Sequence, residues 1–427
     1  MFTIMDVGVK NVDASMKHGN EFNQFTLWFA ANLTLADFAL GFLAYSLNLS
    51  IYYAAISMLL GTVIGSTIVG LMAHIGTKTG KTQMMISYDT FGKYSHTFSF
   101  LQGFSALGWF IVNLILGTYA FETILHVNFI FIMIIYAFIQ ISIAYFGYHH
   151  IHRVEMIFSV LLGIIFLYIA VKSNIFLNVS YSGKNSIPSF GIMMATSFSY
   201  TVSWAPYASD YSRYLPHKSS LKKLLIYIVL GMSLSTYLLE MLGFFIGIKT
   251  GLTNSMQAAY TISGSIGILT SILLILGGIG TNSINIYSSS LSINAIFPKK
   301  DLRTFLLILI SILGIISSIL FYNSFYQFFE NFLYVLDYWI MPWSGIIIID
   351  HYLIKKLNVD RKRVFKLSSI SSLLGFIISI PFQNPGLYEM PASEYLGGVD
   401  ISYFISFILS VSIFIIFLKF FMSSQQS

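Results

Sequence analysis

The chain of 427 residues is 56% hydrophobic and only 9% charged, with a net charge of +6 and a mean hydropathy of +0.76. Soluble domains carry roughly 25% charged residues, so a soluble globular protein is excluded and a polytopic membrane protein is implied. Cysteine is absent, which excludes disulfides and thiolate metal sites. The basic residues sit in short loops between apolar runs, a pattern of membrane topology and not of nucleic-acid binding.

Residues 1–24 are polar (Lys10, Asp13, Lys17, His18, Glu21) and are expected to be a cytoplasmic segment, not a signal peptide. At about 20 apolar residues per crossing, the sequence predicts twelve spans. They fall near 25–46, 51–73, 97–121, 127–147, 153–172, 189–212, 221–247, 262–296, 303–321, 326–353, 365–382 and 401–421. The stretches 262–296 and 326–353 are too long for one straight crossing and are expected to tilt or run into a loop helix. With the N-terminus inside, 20 of the 23 Lys and Arg residues fall in inner segments, and only Lys172, Lys184 and Lys249 fall outside. This asymmetry places both termini in the cytoplasm of a multi-pass protein of the cell membrane. No soluble domain and no catalytic cluster is visible, so an enzyme is not expected. The segment Gly76-Thr-Lys-Thr-Gly-Lys-Thr82 is one residue too short between its glycines for a phosphate loop, and no strand precedes it.

Polar residues inside spans mark the candidate site. Span 1 holds Asn32, Thr34 and Asp37; the acid reads equally well as a cation- or proton-coupling group and as a carboxylate bonded to a neighbouring helix. In span 2, Gly61 and Gly65 fit a close-packing pattern. Span 3 places Trp109 and Asn113 four residues apart, on one helical face. A flat apolar plate beside an amide suits a planar heterocyclic amide, although a lone membrane Trp commonly serves packing. Span 6 fills with hydroxyls and aromatics from Ser197 onward and carries Pro206 in its middle, ending in Asp210 and Arg213. Span 8 carries Thr281, Asn282, Ser283 and Asn285. Their oxygens suit Na⁺ or polar substrate edges, and interhelical hydrogen bonds are the competing explanation. Glu240 and Asp337 are further acids for which a contact between helices explains as much as a coupling role. His149, His150 and His152 read as a solvated inner loop, not a metal site. Spans 1 and 6 open two five-span halves, and both are expected to be interrupted, near Asp37–Gly41 and at Pro206. Paired broken segments of this kind point to a binding site between inverted repeats.

Collinear motifs then resemble one family, the nucleobase–cation symporters, with the nearest likeness to cytosine and purine–cytosine permeases. The motifs are Asn32–Gly41, Gly76–Gly92, Gly108-Trp-Phe, and Trp204 through Asp210-Tyr-Ser-Arg-Tyr. Weaker ones are Thr281-Asn-Ser-Ile-Asn-Ile-Tyr287 and Gly345 through Asp350-His-Tyr-Leu353. The resemblance implies an all-α LeuT-type fold with two inverted five-helix repeats, about 25–172 and 189–353, followed by two additional helices in 354–427. It implies spans 1 and 6 unwound at the midplane, with alternating access around a central site. It implies a base held between Trp109 and a span 6 aromatic, with Asn113 on its edge. For that aromatic, Tyr200 and Trp204 both remain candidates around Thr201, and Ser203 lies between them. Asn282 and Asn285 are the candidate amides of span 8. Sodium in bacterial members would use span 1 carbonyls and two hydroxyl residues of span 8; Thr281 matches one, and Gly280 stands at the other. With Asp37 present, the coupling ion is Na⁺ or H⁺, and no other cofactor is expected.

The reading is thus a secondary transporter importing a cytosine- or purine-like base by cation symport, its partners being that small molecule and the bilayer. The alternatives are a transporter of the same fold for an amino acid or a thiamine-precursor-like amine, and an uncoupled channel or receptor.

Overall fold

The computed structural model describes residues 11–146, 148–174, 181–294, 296, 302–356, 359–386 and 388–423, without the side chains of 146, 148–156, 356 and 421–423. His149, His150 and His152 therefore have side chains outside the described residues, and Lys299 and Lys300 lie outside them altogether. The described chain is helical. The first elements are α1 (Phe22–Ala31), α2 (Leu35–Ser46), α3 (Ile51–Thr79), α4 (Gln83–Phe91), α5 (Ser95–Glu122), α6 (Phe129–Phe146) and α7 (Tyr148–Ser173). The next are α8 (Ile187–Val202), α9 (Ala208–Ser212), α10 (Leu221–Thr250), α11 (Ser255–Ser263) and α12 (Gly267–Asn294). The chain closes with α13 (Arg303–Phe321), α14 (Phe325–Tyr352), α15 (Arg361–Ser379), α16 (Pro391–Tyr395) and α17 (Ser402–Ser423).

Among the described residues, seven helical stretches are long and apolar enough to cross a membrane, and the pair α1–α2, bent by 65°, makes an eighth. One of the seven, 303–352, joins α13 to α14 through a tight turn at Tyr322–Ser324. Shorter apolar stretches are Phe129–Tyr145 and Ile157–Ser173. The outer faces present large apolar side chains, Phe138 and Val171 each 70% exposed and Leu320 71%. Such a surface is stable only against lipid tails.

Two series of elements match in length. α3 has 29 residues and α10 has 30; α4 and α11 each have 9; α5 and α12 each have 28. The turns match as well. Gly80 and Gly251 end α3 and α10 at φ +67°, and Gly92 and Gly264 end α4 and α11 at φ +58°. Side chains rarely adopt these angles; around Gly251 and Gly264 there is free space, so backbone conformation alone requires glycine. Packing is exchanged between the series: α3 lies along α8 and α9, α10 lies along α2 and α1, and α5 lies along α12. The loop helices α4 and α11 escape a count of apolar runs because neither is apolar enough to register. The long stretch 262–296 accordingly begins within α11 and turns at Gly264–Ile266 before α12.

Span 1 breaks at Asn32–Thr34, not at Asp37–Gly41, which is helical within α2. Asparagine side chains compete with helical backbone bonds, and threonine favours N-caps. Asn32 Nδ2 donates to the Trp28 carbonyl (2.7 Å), and Thr34 Oγ1 accepts the Asp37 amide (3.3 Å), so the turn is closed by its own side chains. Gly41, at the end of the stretch expected to break, serves packing instead. A Cβ on Gly41 would lie 1.9 Å from Glu240 O, and one on Gly243 would lie 2.0 Å from Phe38 O. Likewise Gly61 and Gly65 face α8, with Met194 O 2.4 Å and Thr201 Oγ1 2.1 Å from an added Cβ. In span 6 the helix stops at Val202, and Ala205–Tyr207 form a short 3₁₀ turn around Pro206. Proline removes the donor that the Val202 carbonyl would have used.

Candidate substrate site

The two breaks open onto one cavity. It is lined by Thr34 and Ala36 from span 1, Trp109 and Asn113 from α5, and Thr281, Ile284, Asn285 and Ser288 from α12. Tyr200, Ser203, Trp204, Tyr207 and Tyr211 complete it from the broken α8–α9 segment. No charged side chain is in this lining.

Trp109 is half-buried. Its ring meets Tyr200 (5.4 Å between centroids, 90°), Phe332 (5.3 Å, 83°) and Phe329 (6.1 Å, 76°) edge to face. Three such contacts fix the indole plane. One turn on, Asn113 Nδ2 donates back to the Trp109 carbonyl (2.9 Å), which leaves the amide oxygen for the cavity. Trp204 is half-buried as well. Its Nε1 donates to Asn32 Oδ1 (3.0 Å), and its ring rests edge-on against Trp28 (5.6 Å, 71°). The indole that faces the cavity from span 6 is thereby tied to the break in span 1. Tyr200 is 3% exposed. Its hydroxyl donates to Asp37 Oδ2 (2.5 Å) and touches Thr34 Oγ1 (3.0 Å), which itself donates to Asp37 Oδ2 (2.7 Å).

Seven of the expected residues come together here: Trp109, Asn113, Tyr200, Ser203, Trp204, Thr281 and Asn285. Two do not line the cavity. Asn282 is fully buried; its Nδ2 donates to the Phe110 carbonyl (3.1 Å) and Gln140 Oε1 (2.9 Å), and its Oδ1 receives Asn285 Nδ2 (3.3 Å). It is an interhelical tie one layer behind Asn285. Asp37 is also fully buried and reaches the cavity only through Tyr200 and Thr34. Thr34, one of the polar residues noted in span 1, lines the cavity as well, and Ala36, Tyr207, Tyr211, Ile284 and Ser288 line it without having been expected. Helical spacing carries the missing signal on α12: 281, 284, 285 and 288 share one face, whereas 282 and 283 point away.

Around Thr281 the donor set is spare. Gly280 has no side chain, and Ser283 Oγ donates to Ile279 O (2.8 Å) and Gln140 O (3.2 Å), away from the cavity. A Na⁺ ion there would have one side-chain hydroxyl from α12, with carbonyl oxygens for the rest. Among the described residues no group of three or more His, Asp or Glu side chains is placed to hold a metal. Asp210, at the inner end of span 6, accepts the Gln83 amide (2.8 Å), and Gln83 Oε1 accepts the Ser209 amide (3.2 Å), so these residues tie α9 to the loop helix α4.

A helical bundle with an apolar outer face and an aromatic, polar cavity between two broken helices has the architecture of a multi-pass membrane protein with a small-solute site. The fold matches Mhp1 in an inward-facing conformation with a TM-score of 0.80 at 14% identity, over 99% of this chain and 95% of that one. It also matches Mhp1, a nucleobase-cation-symport-1 family transporter, in a closed conformation with bromovinylhydantoin bound (TM-score 0.75, 15% identity, 99% and 97% covered). At these identities the likeness concerns the LeuT-type fold alone. The chain is 23% identical to the putative purine-cytosine permease YxlA of Bacillus subtilis, over 94% of this chain and 93% of that protein. It is 26% identical to the purine-cytosine permease fcyB of Emericella nidulans, over 94% and 85%. The family model for permeases for cytosine/purines, uracil, thiamine and allantoin matches residues 11–406. The chain belongs to this family, the nucleobase–cation symporters.

Proposed function

We propose that the protein imports a neutral nucleobase, cytosine or purine-like, across the cell membrane by cation symport with alternating access. The observation that carries this reading is the cavity lining. It offers indole and phenol rings, two amides and several hydroxyls, but no charge. A zwitterionic amino acid or a cationic amine brings charges for which this lining offers no side-chain countercharge. A planar base needs aromatic plates and hydrogen-bonding edges, which are present. Trp109 is one plate. Tyr200 stands at 90° to it and spends its hydroxyl on Asp37, so the two cannot sandwich one plane. The half-buried Trp204 is the second plate in this reading, with Asn113, Asn285 and Ser203 reading the edges. The named purine-cytosine permeases among its relatives support the same cargo.

The matched helix series, with exchanged packing, support two inverted repeats (about 25–172 and 189–353) and two additional helices in 354–427. We read the broken and turned stretches as twelve spans, with both termini cytoplasmic by the placement of Lys and Arg. The cation is Na⁺ or H⁺, with Thr281 and Asp37 as the groups to test. Uptake of labelled cytosine, adenine, guanine and uracil by proteoliposomes, with and without an imposed cation gradient, tests the reading. Gradient-driven accumulation of a base is expected. Accumulation of an amino acid and no base would refute it, and equilibration unaffected by any gradient would indicate an uncoupled channel.

A further inference from the structure

Three residues of α8 each hold a carboxyl group from a different helix. Tyr200 O–H donates to Asp37 of α2, Ser197 Oγ donates to Glu240 Oε2 of α10 (2.9 Å), and Ser199 Oγ donates to Asp337 of α14. All three acids are 0% exposed, and each keeps one oxygen without a hydrogen-bond partner: Asp37 Oδ1, Glu240 Oε1 and Asp337 Oδ1. Among the described residues none of them forms an ion pair.

Asp37 and Glu240 belong together. They flank the closest crossing of α2 and α10, where Gly41 meets the Glu240 carbonyl and Gly243 meets the Phe38 carbonyl. The groups facing Asp37 are Tyr200 of α8, Thr34 at the break, and Thr236 and Glu240 of α10. Those facing Glu240 are Ser197 and Tyr200 of α8, Asp37 of α2, and Tyr237 on its own helix. Two adjacent carboxylates at membrane depth without a cation are too costly to coexist. A single charge on the pair is better held on Asp37, which has two hydroxyl donors against one for Glu240.

We propose that the Asp37–Glu240 pair is a proton site linked to the substrate through the Tyr200 hydroxyl, so that binding a base takes up a second proton. Tyr200 lines the cavity and is the shorter of the two donors to Asp37. A carbonyl oxygen or ring nitrogen of the substrate competes for that O–H. When Tyr200 turns to the substrate, Asp37 keeps only Thr34, and a proton from solution forms the O–H bond on its carboxylate. No covalent bond of the substrate breaks, and the proton leaves to the other side when the base departs. Linkage is reciprocal: if the complex binds one more proton, lower pH tightens base binding. This inference rests on the nucleobase reading and assigns its coupling ion.

The experiment is base binding to purified full-length protein in weakly buffered detergent without Na⁺, read by calorimetry and by a pH-indicator dye. About one proton taken up per base is expected where uptake is complete, with the Kd for the base weakening about tenfold per pH unit as pH rises. Asp37→Asn and Tyr200→Phe should each abolish the uptake and flatten the pH dependence; Tyr200→Phe keeps the ring and guards against a folding defect in the first variant. Asp337→Asn, whose link to α8 runs through Ser199, should keep both. Base binding without proton uptake, tightened by Na⁺ instead, overturns the proton site and leaves the nucleobase reading standing. Failure of every base to bind overturns that reading and this inference with it.

Discussion

Asn32→Ala is the change that most directly probes how the two broken helices are joined. The side chain is fully buried and makes two bonds, Nδ2 to the Trp28 carbonyl at 2.7 Å and Oδ1 from Trp204 Nε1 at 3.0 Å. Alanine leaves both partners without a bond. At about 0.5–1.5 kcal/mol per hydrogen bond, the total loss is about 1–3 kcal/mol. The Trp28 share appears as reduced thermal stability. The Trp204 share appears in binding, since the indole then loses its hydrogen bond and keeps its edge contacts with Trp28 and Tyr207. About 1 kcal/mol in affinity corresponds to about a fivefold higher Kd for the base. Thermal unfolding of the detergent-solubilised protein and a base titration separate the two shares. Asn32→Asp, which keeps an acceptor for Trp204, should retain more affinity than Asn32→Ala. If Asn32→Ala unfolds and binds as the wild type does, Asn32 does not fasten Trp204 and the reasoning fails.

Trp109→Ala removes a stacking plate worth about 1–3 kcal/mol, so base affinity should fall about five- to 150-fold, with Trp109→Phe intermediate; filter binding with a labelled base checks this. Gly41→Ala puts a Cβ 1.9 Å from Glu240 O, and backbone cannot yield as a side chain can. The α2–α10 crossing must open, costing about 1–3 kcal/mol, and a Tm equal to wild type would show that the helices are not so close. Arg361 binds the fully buried Asp350 through both terminal nitrogens at 2.8 Å. Arg361→Ala strands that carboxylate, which among the described residues keeps the Thr90 Oγ1 donor (2.9 Å), and should cost about 2–4 kcal/mol. The double variant with Asp350→Asn should recover part of that loss in the same unfolding assay.

Helix positions were legible because each crossing needs a long apolar run, and the run lengths survive any rearrangement of packing. The Pro206 break was legible for the same reason: a missing backbone donor acts locally. The span 1 break lies earlier than expected because a glycine such as Gly41 both weakens a helix and permits close crossing, and the partner helix α10 decides between the two. Asn282 and Asn285 are chemically identical, so composition could not separate them; their angular positions on α12 do. What favours Trp204 over Tyr200 as the second plate is a contact between residues 163 positions apart, the Tyr200 hydroxyl on Asp37, which no local pattern reveals. Tyr207 and Tyr211 were passed over because aromatics near a helix end also serve as interface anchors.

The central claim is that an uncharged aromatic cavity holds a neutral planar base. Competition against labelled cytosine uptake in proteoliposomes, with a panel of neutral nucleobases set against zwitterionic amino acids and cationic amines, measures this directly. The account predicts that at least one nucleobase competes, that amino acids and amines do not, and that Trp109→Ala strongly reduces uptake of subsaturating base at unchanged expression. Competition by an amino acid or a cationic amine in place of bases, or normal uptake by Trp109→Ala, would contradict it.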